Sequence, residues 1–233
     1  MTQFNQTAVW YRQLASVIPR QLPLKSGVTM LFIGLFFGVY LYLLKNSAFP
    51  ITVMPLTFID QWVGFEPRAL SLYISLWVYV SLPPLLLATR HELQAYTLAM
   101  TGTCLAALLV FYFWPTAVPP ASIDWTQYPG VNFLKRMDAA GNAFPSLHVA
   151  TAIFSSLWLH HLLRGFGVPQ WLLVLNWIWA VGIIYSTLAT RQHVAVDVAA
   201  GLVLGGAAAY LSLRQRAQAR AVQNSQETEI VQT

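Results

Sequence analysis

Two short stretches of the chain carry residue types from which a reaction could be built. One is Asn142-Ala143-Phe144-Pro145-Ser146-Leu147-His148, and the other is Thr190-Arg191-Gln192-His193-Val194-Ala195-Val196-Asp197. Each opens an apolar run and therefore reads as the start of a helix. Pro145 suits a first helical turn, where a missing N–H costs nothing, and Asn142 or Ser146 can cap the free backbone donors. A helix start gathers N–H groups and a partial positive charge, so it favours an anion. His148 lies within one turn of that start. In the second stretch His193 and Asp197 are four residues apart, which puts both on one helix face. A carboxylate beside one ring nitrogen fixes the tautomer and frees the other nitrogen as base or nucleophile. Arg191 adds a cation matched to phosphate oxygens. The set suits phosphoryl transfer, in which one histidine attacks and the other protonates the leaving oxygen.

Spacing alone leaves other uses open. His193 and Asp197 fit a structural hydrogen bond between helices equally well. Two histidines and a carboxylate can hold iron or zinc, but no His-Glu-x-x-His spacing is present, and Arg191 beside the pair would repel a cation. A serine hydrolase built on Ser146 lacks the Gly-x-Ser-x-Gly elbow. His91 and the pair His160-His161 read as polar residues at headgroup level on the opposite side, and Cys104, in mid-span, as packing. No metal and no cofactor are expected.

The elements that must position these residues follow from composition. Of 233 residues, 57% are hydrophobic and 9% charged, against about 25% charged in an ordinary soluble domain. That balance excludes intrinsic disorder and speaks against a soluble enzyme, and the single cysteine excludes a disulfide framework. The chain reads as an all-α polytopic membrane protein. Six apolar stretches of spanning length run over Val28 to Leu44, Ala69 to Leu87, Leu93 to Trp114, Pro145 to Leu163, Trp171 to Leu188 and His193 to Leu213. A kink is expected at Pro83-Pro84. The last stretch is rich in small residues, among them Gly201, Gly205 and Gly206, which let helices approach closely in lipid. Residues 1–25 form an N-terminal segment able to lie at the interface through Trp10, Tyr11, Leu14 and Ile18. Residues 26–213 form one six-helix bundle, and residues 214–233 a polar, disordered tail.

Six spans place both termini on one side. That side collects eight basic residues (Arg12, Arg20, Lys25, Arg90, Arg164, Arg214, Arg216, Arg220), and the other collects five (Lys45, Arg68, Lys135, Arg136, Arg191). The termini are therefore expected in the cytoplasm. The net charge of +5 reads as topology, and no basic run with interleaved aromatics points to nucleic acid. Both histidine stretches then lie on the outer side, in the second and third outer connections. Trp125, Tyr128 and Phe133 of the long second connection either shape a headgroup pocket or form an aromatic belt.

At these residues the sequence resembles a known family, the type-2 phosphatidic acid phosphatases. Phe144-Pro145-Ser146-Leu147-His148 resembles the family's Pro-Ser-Gly-His motif, and His193 to Asp197 resembles its His-x-x-x-Asp motif. The two lie about 45 residues apart, each opening an apolar span. The resemblance implies that His193 is the nucleophile that becomes a phosphohistidine, that Asp197 orients it, and that His148 protonates the leaving group and then serves as base. It implies that Ser146 hydrogen-bonds a phosphate oxygen and that no metal is needed. The family's Lys-x6-Arg-Pro motif is absent, so the phosphate-binding cations are sought in Arg191, Arg136 and Lys135, with Asn142 beside them. The stretch from Trp114 to Pro120 and the run from Asp138 to His148 look more like the branch that contains inositol-phosphorylceramide synthase.

The function expected is that of an integral membrane lipid phosphatase acting through a phosphohistidine. Its substrate would be a lipid phosphate, among membrane lipids, at the extracytoplasmic face of a bacterial inner membrane. One alternative is a lipid phosphotransferase that moves a phospho-headgroup to a lipid or sugar hydroxyl. Another, of a different class, is a transporter or sensor with His193 and Asp197 as a proton relay, in which the pair would face a different cavity from His148. Oligomeric state is not legible in the sequence.

Overall fold

A computed structural model describes the backbone of residues 9–137 and 142–232, with all side chains there except those of 136–137 and 219–232. The fold is a helical bundle capped at one end by loops. Helix α1 (Trp10–Val17) carries Trp10, Leu14 and Val17 against the bundle core and leaves Tyr11 and Ile18 exposed, so the interfacial segment docks with one face.

Helix α2 (Leu22–Lys45) begins earlier than the apolar run suggested, with Pro23 in its first turn. Lys25 therefore lies inside the helix and is buried. Its Nζ donates to the carbonyl oxygens of Val17 at 3.0 Å and Leu85 at 2.7 Å. A charge that read as a span flank thus binds carbonyls at two helix ends, that of Val17 also accepting from the backbone N–H of Arg20. Beyond it, α2 turns a broad apolar surface outward, with Met30, Leu31 and Leu35 at least 64% exposed.

After the short helix α3 (Phe58–Trp62), the second span divides into α4 (Leu70–Ile74) and α5 (Leu76–Leu86). The break falls at Ser75, whose hydroxyl donates to the Leu72 carbonyl at 2.6 Å and accepts from Trp179 Nε1 at 2.9 Å. The kink expected at Pro83-Pro84 is not mid-span. Both prolines sit in the last turn of α5, where they help to end the helix. Helix α6 (Arg90–Phe113) follows, and α7 (Pro129–Met137) lies in the long connection that follows α6.

Helices α8 (Leu147–Gly165), α9 (Gln170–Ala189) and α10 (Ala195–Gln232) complete the bundle, and α8 is packed by α5, α6, α9 and α10. Among the described residues five segments are long and apolar enough to cross a membrane: Leu22–Lys45, Pro67–Leu86, Arg90–Phe113, Gln170–Ala189 and Ala195–Gln218. The sixth expected span, α8, forms as a helix but is not among them, since His148, His160, His161 and Arg164 lower its hydropathy. Helices enclose it, and Ala150, Phe154 and Trp158 have no exposed surface. A helix enclosed by others can carry polar groups that a lipid-facing one cannot.

Helix α10 passes the boundary expected at residue 213. Arg216 pairs with Glu92 and lies over the Trp158 ring, 5.4 Å from its centroid. The segment expected as a disordered tail is helical through Gln232, and its side chains from residue 219 onward lie outside the described residues. Arg216 is 21 residues from the start of α10, about 32 Å along a helix and close to the thickness of a bilayer core. Lys25, Glu92 and Arg216 therefore mark the end of the bundle opposite both histidine stretches.

The closest helix contact joins α8 to α10. A Cβ on Gly201 would lie 2.5 Å from the Ser146 carbonyl oxygen, and one on Gly205 would lie 2.0 Å from the Ala150 carbonyl oxygen. Backbone meets backbone there, so the small residues are required. Gly205→Ala is expected to destabilise the protein by about 1–3 kcal/mol, read as a lowered thermal midpoint in detergent. Gly206→Ala, which faces open space, serves as the neutral control.

The loop cap contains an element not expected in an all-α chain. Strands β1 (Thr52–Val53) and β2 (Thr116–Ala117) pair in parallel, and Thr116 also bridges to Asn142. Thr116 accepts from the backbone N–H of Ala143 at 3.1 Å through its carbonyl, and from that of Phe144 at 2.7 Å through its hydroxyl. The first and second connections at this end of the bundle are thereby fastened to the segment leading into α8. Trp125 and Tyr128 pack edge-on against Phe65 of the first connection, while Phe133 stays exposed.

Candidate functional site

Ser146 caps α8. Its hydroxyl accepts from the backbone N–H of Val149 at 3.3 Å, which satisfies a free donor at the helix start. Pro145 stands just outside the helix rather than in its first turn. The backbone N–H of Ser146 donates to the carbonyl of Asp197 at 3.0 Å. One hydrogen bond therefore joins the two histidine stretches directly, at the point where Gly201 lets the helices touch. Asn142 does not cap; its side chain is hydrogen-bonded to the Tyr40 hydroxyl.

His148 stacks flat on Tyr73, with ring centroids 3.8 Å apart and 12° between planes. Its Nε2 lies 2.9 Å from the Tyr73 carbonyl oxygen. A carbonyl only accepts, so Nε2 carries the proton in this arrangement and Nδ1 is the basic atom.

Asp197 lies in the first turn of α10, while His193 stands two residues before the helix rather than on one helical face with it. His193 is 7% exposed and Asp197 wholly buried, with Nδ1 and Oδ2 3.5 Å apart. That exceeds the 2.7–2.9 Å typical of a charge-assisted hydrogen bond, by roughly the width of a small rotation. Oδ2 instead accepts from the backbone N–H of Val194 at 3.0 Å. Among the described residues neither His193 Nδ1 nor Asp197 Oδ1 has a hydrogen-bond partner. Asp197 thus caps its own helix and stands ready behind the imidazole.

The turn before α10 is held tightly. Thr187 accepts through its carbonyl from the backbone N–H groups of Gln192 at 3.0 Å and His193 at 3.1 Å. Arg191 adopts a left-handed conformation, φ 58°, and its carbonyl accepts from Lys135 Nζ. Lys135 also lies over the Trp125 ring, 5.2 Å from its centroid. Two of the three cations sought for phosphate, Arg191 and Lys135, are brought together here. The Arg136 side chain lies outside the described residues.

Sequence reasoning missed Asp60, which is 3% exposed. It lies in the connection between α2 and α4, which showed no chemical signal. Its Oδ1 accepts from the backbone N–H of Ala195 at 2.8 Å, and its own carbonyl accepts from Arg191 NH1 at 2.7 Å. Only the local pattern Thr57-Phe58-Ile59-Asp60, a capping box, was available to mark it.

His148 and His193 line one cavity of about 360 Å³. Asn142 and Tyr40 stand at the same end. The walls are Phe32, Phe36, Phe37, Trp77, Met100 and Cys104, and the lining reaches Val28, Pro84 and Thr97. On α2 the lining from Val28 to Tyr40 covers 12 residue steps, about 18 Å. Among the described residues no group of three or more His, Cys, Asp and Glu side chains is placed to hold a metal ion.

Helices able to cross a membrane, with His148 and His193 lining one largely apolar cavity and Asp197 beside His193, define a polytopic membrane protein. The chain belongs to the PAP2 superfamily, whose sequence model matches residues 92–221, more than half its length. Members of that superfamily are generally phosphatases or phosphotransferases that act on lipid phosphates. No curated protein and no solved structure matches the chain. The matched region contains both histidine stretches. Asp60, Tyr73 and the whole of α2 lie before it.

Proposed function

We propose that the protein is an integral membrane lipid phosphatase that works through a phosphohistidine on His193 at the extracytoplasmic end of the bundle. The observation that carries this reading is the cavity: two histidines at its head and an apolar lining running about 18 Å along α2. A phosphorylated headgroup at the histidines with its chain along α2 satisfies both ends.

With Asp197 behind Nδ1, His193 attacks phosphorus through Nε2. The bond from phosphorus to the leaving oxygen breaks, and His148, entering the step as the imidazolium, gives that oxygen the proton on its Nδ1. In the second step His148 takes a proton from water, the water oxygen bonds to phosphorus, and the P–N bond returns its electron pair to His193. The charge that develops on His193 draws Asp197 from 3.5 Å into hydrogen-bond contact. Arg191, Lys135 and the N–H groups at the start of α8, which Ser146 frames, stabilise the phosphate oxygens, with Asn142 at the mouth of the site. The reading requires no metal.

One observation favours transfer to a second lipid or sugar hydroxyl over hydrolysis: His193 is almost fully buried, and a dry site protects an intermediate from water. A proton relay in a transporter or sensor fits less well, because His148 and His193 line the same cavity. Mass spectrometry of the products from purified protein and lipid phosphates separates these readings. Free phosphate is expected. A new phospholipid in its place establishes the transferase, and no turnover of any lipid phosphate removes both.

A further inference from the structure

We propose that Asp60 is a positioning residue that fixes the start of α10, and with it the attack line of His193. This rests on the phosphohistidine reading above. Asp60 lies outside the region matched to the superfamily, 133 residues before His193.

The start of α10 has three backbone donors to satisfy near the site. The N–H of His193 goes to Thr187, that of Val194 to Asp197, and that of Ala195 to Asp60. The Ala195 bond, at 2.8 Å, is the one made from outside the turn. The second carboxylate oxygen of Asp60 accepts from both the backbone N–H of Thr57 at 2.7 Å and its hydroxyl at 2.8 Å. The carboxylate is therefore locked at both ends and cannot follow α10 if the helix drifts. The carbonyl of Asp60 holds Arg191 NH1, so one residue grips the turn on both sides of His193. A buried negative charge is also well placed at the positive end of a helix.

Without this grip Asp197 is asked to cap the helix alone while it turns toward His193. A reacting nitrogen displaced by about 1 Å costs up to about a hundredfold in rate. Substrate binding along α2 is not affected.

The test uses the full chain in detergent, with kcat and KM for lipid phosphate expressed per folded molecule. Asp60→Ala is expected to lower kcat about tenfold or more and leave KM unchanged. Asp60→Asn keeps an oxygen for Ala195 N–H and is expected to recover most of the rate. In protein labelled with 15N-histidine, Asp60→Ala is expected to move the His193 ring signals and leave those of His160 and His161 in place. Wild-type kcat with unmoved His193 signals in Asp60→Ala overturns the proposal. So does an equal loss in both variants with KM rising in step. If Asp60→Ala does not fold, Asp60→Glu decides: it keeps the charge but displaces the carboxylate, and wild-type kcat in that variant overturns the proposal. His193→Ala run beside them separates the two claims. Full turnover in that variant defeats the phosphohistidine reading, while the ring signals still report whether Asp60 positions His193.

Discussion

His193→Ala is expected to abolish phosphate release, with a loss of at least about 10⁴-fold in kcat. The loss comes from chemistry rather than from folding. The His193 backbone holds the turn through Thr187, and alanine keeps that bond. Its imidazole has no hydrogen-bond partner at Nδ1 among the described residues, so removing the ring leaves no buried donor or acceptor unpaired. The variant should purify with wild-type yield and thermal midpoint and should still bind substrate. Measured turnover near wild type would show that some other group attacks phosphorus.

Asp197→Asn is expected to lower kcat by about 10³–10⁴-fold with the fold intact, on the scale seen when the carboxylate of a catalytic triad becomes an amide. Asp197 performs two tasks, and the amide retains one of them. Its oxygen can still accept from Val194 N–H, now 3.0 Å from Oδ2, so α10 stays capped. That oxygen takes the place of Oδ2, which is also the atom nearest His193 Nδ1, at 3.5 Å. It is now neutral and no longer balances the charge that develops on the imidazole during attack. The pair as a merely structural link between helices predicts the opposite pattern: a lowered thermal midpoint with normal turnover. Kinetics and melting measured on one preparation distinguish the two.

Local relations were legible in the sequence, and distant ones were not. His193 and Asp197 lie side by side because Asp197 is in the first turn of α10 and His193 directly precedes that helix. Ser146 caps because it precedes an apolar run. Both depend on neighbours within one turn. Asp60 reaches Ala195 across 135 residues, and the His148 ring packs on Tyr73 across 75. No periodicity carries that information. Lys25 misled for a related reason. A charge next to an apolar run marks a span boundary only if it reaches water, and Lys25 instead reaches two carbonyls. Strands β1 and β2 are two residues each, too short for any alternation to register. Helix α8 shows the limit of hydropathy as a guide, since enclosure by neighbours lets its sequence be polar. The close approach at Gly201 and Gly205 was only suggested by composition. Its consequence, the bond from Ser146 N–H to the Asp197 carbonyl, needed the packed helices.

The most direct test of the central claim is to mix protein with a lipid phosphate, quench it at alkaline pH within milliseconds, and map the phosphorylated peptide by mass spectrometry. Acid-labile phosphate on His193 is the result the account predicts. Phosphate on Ser146 or on any other side chain, or none at all during active turnover, would contradict it.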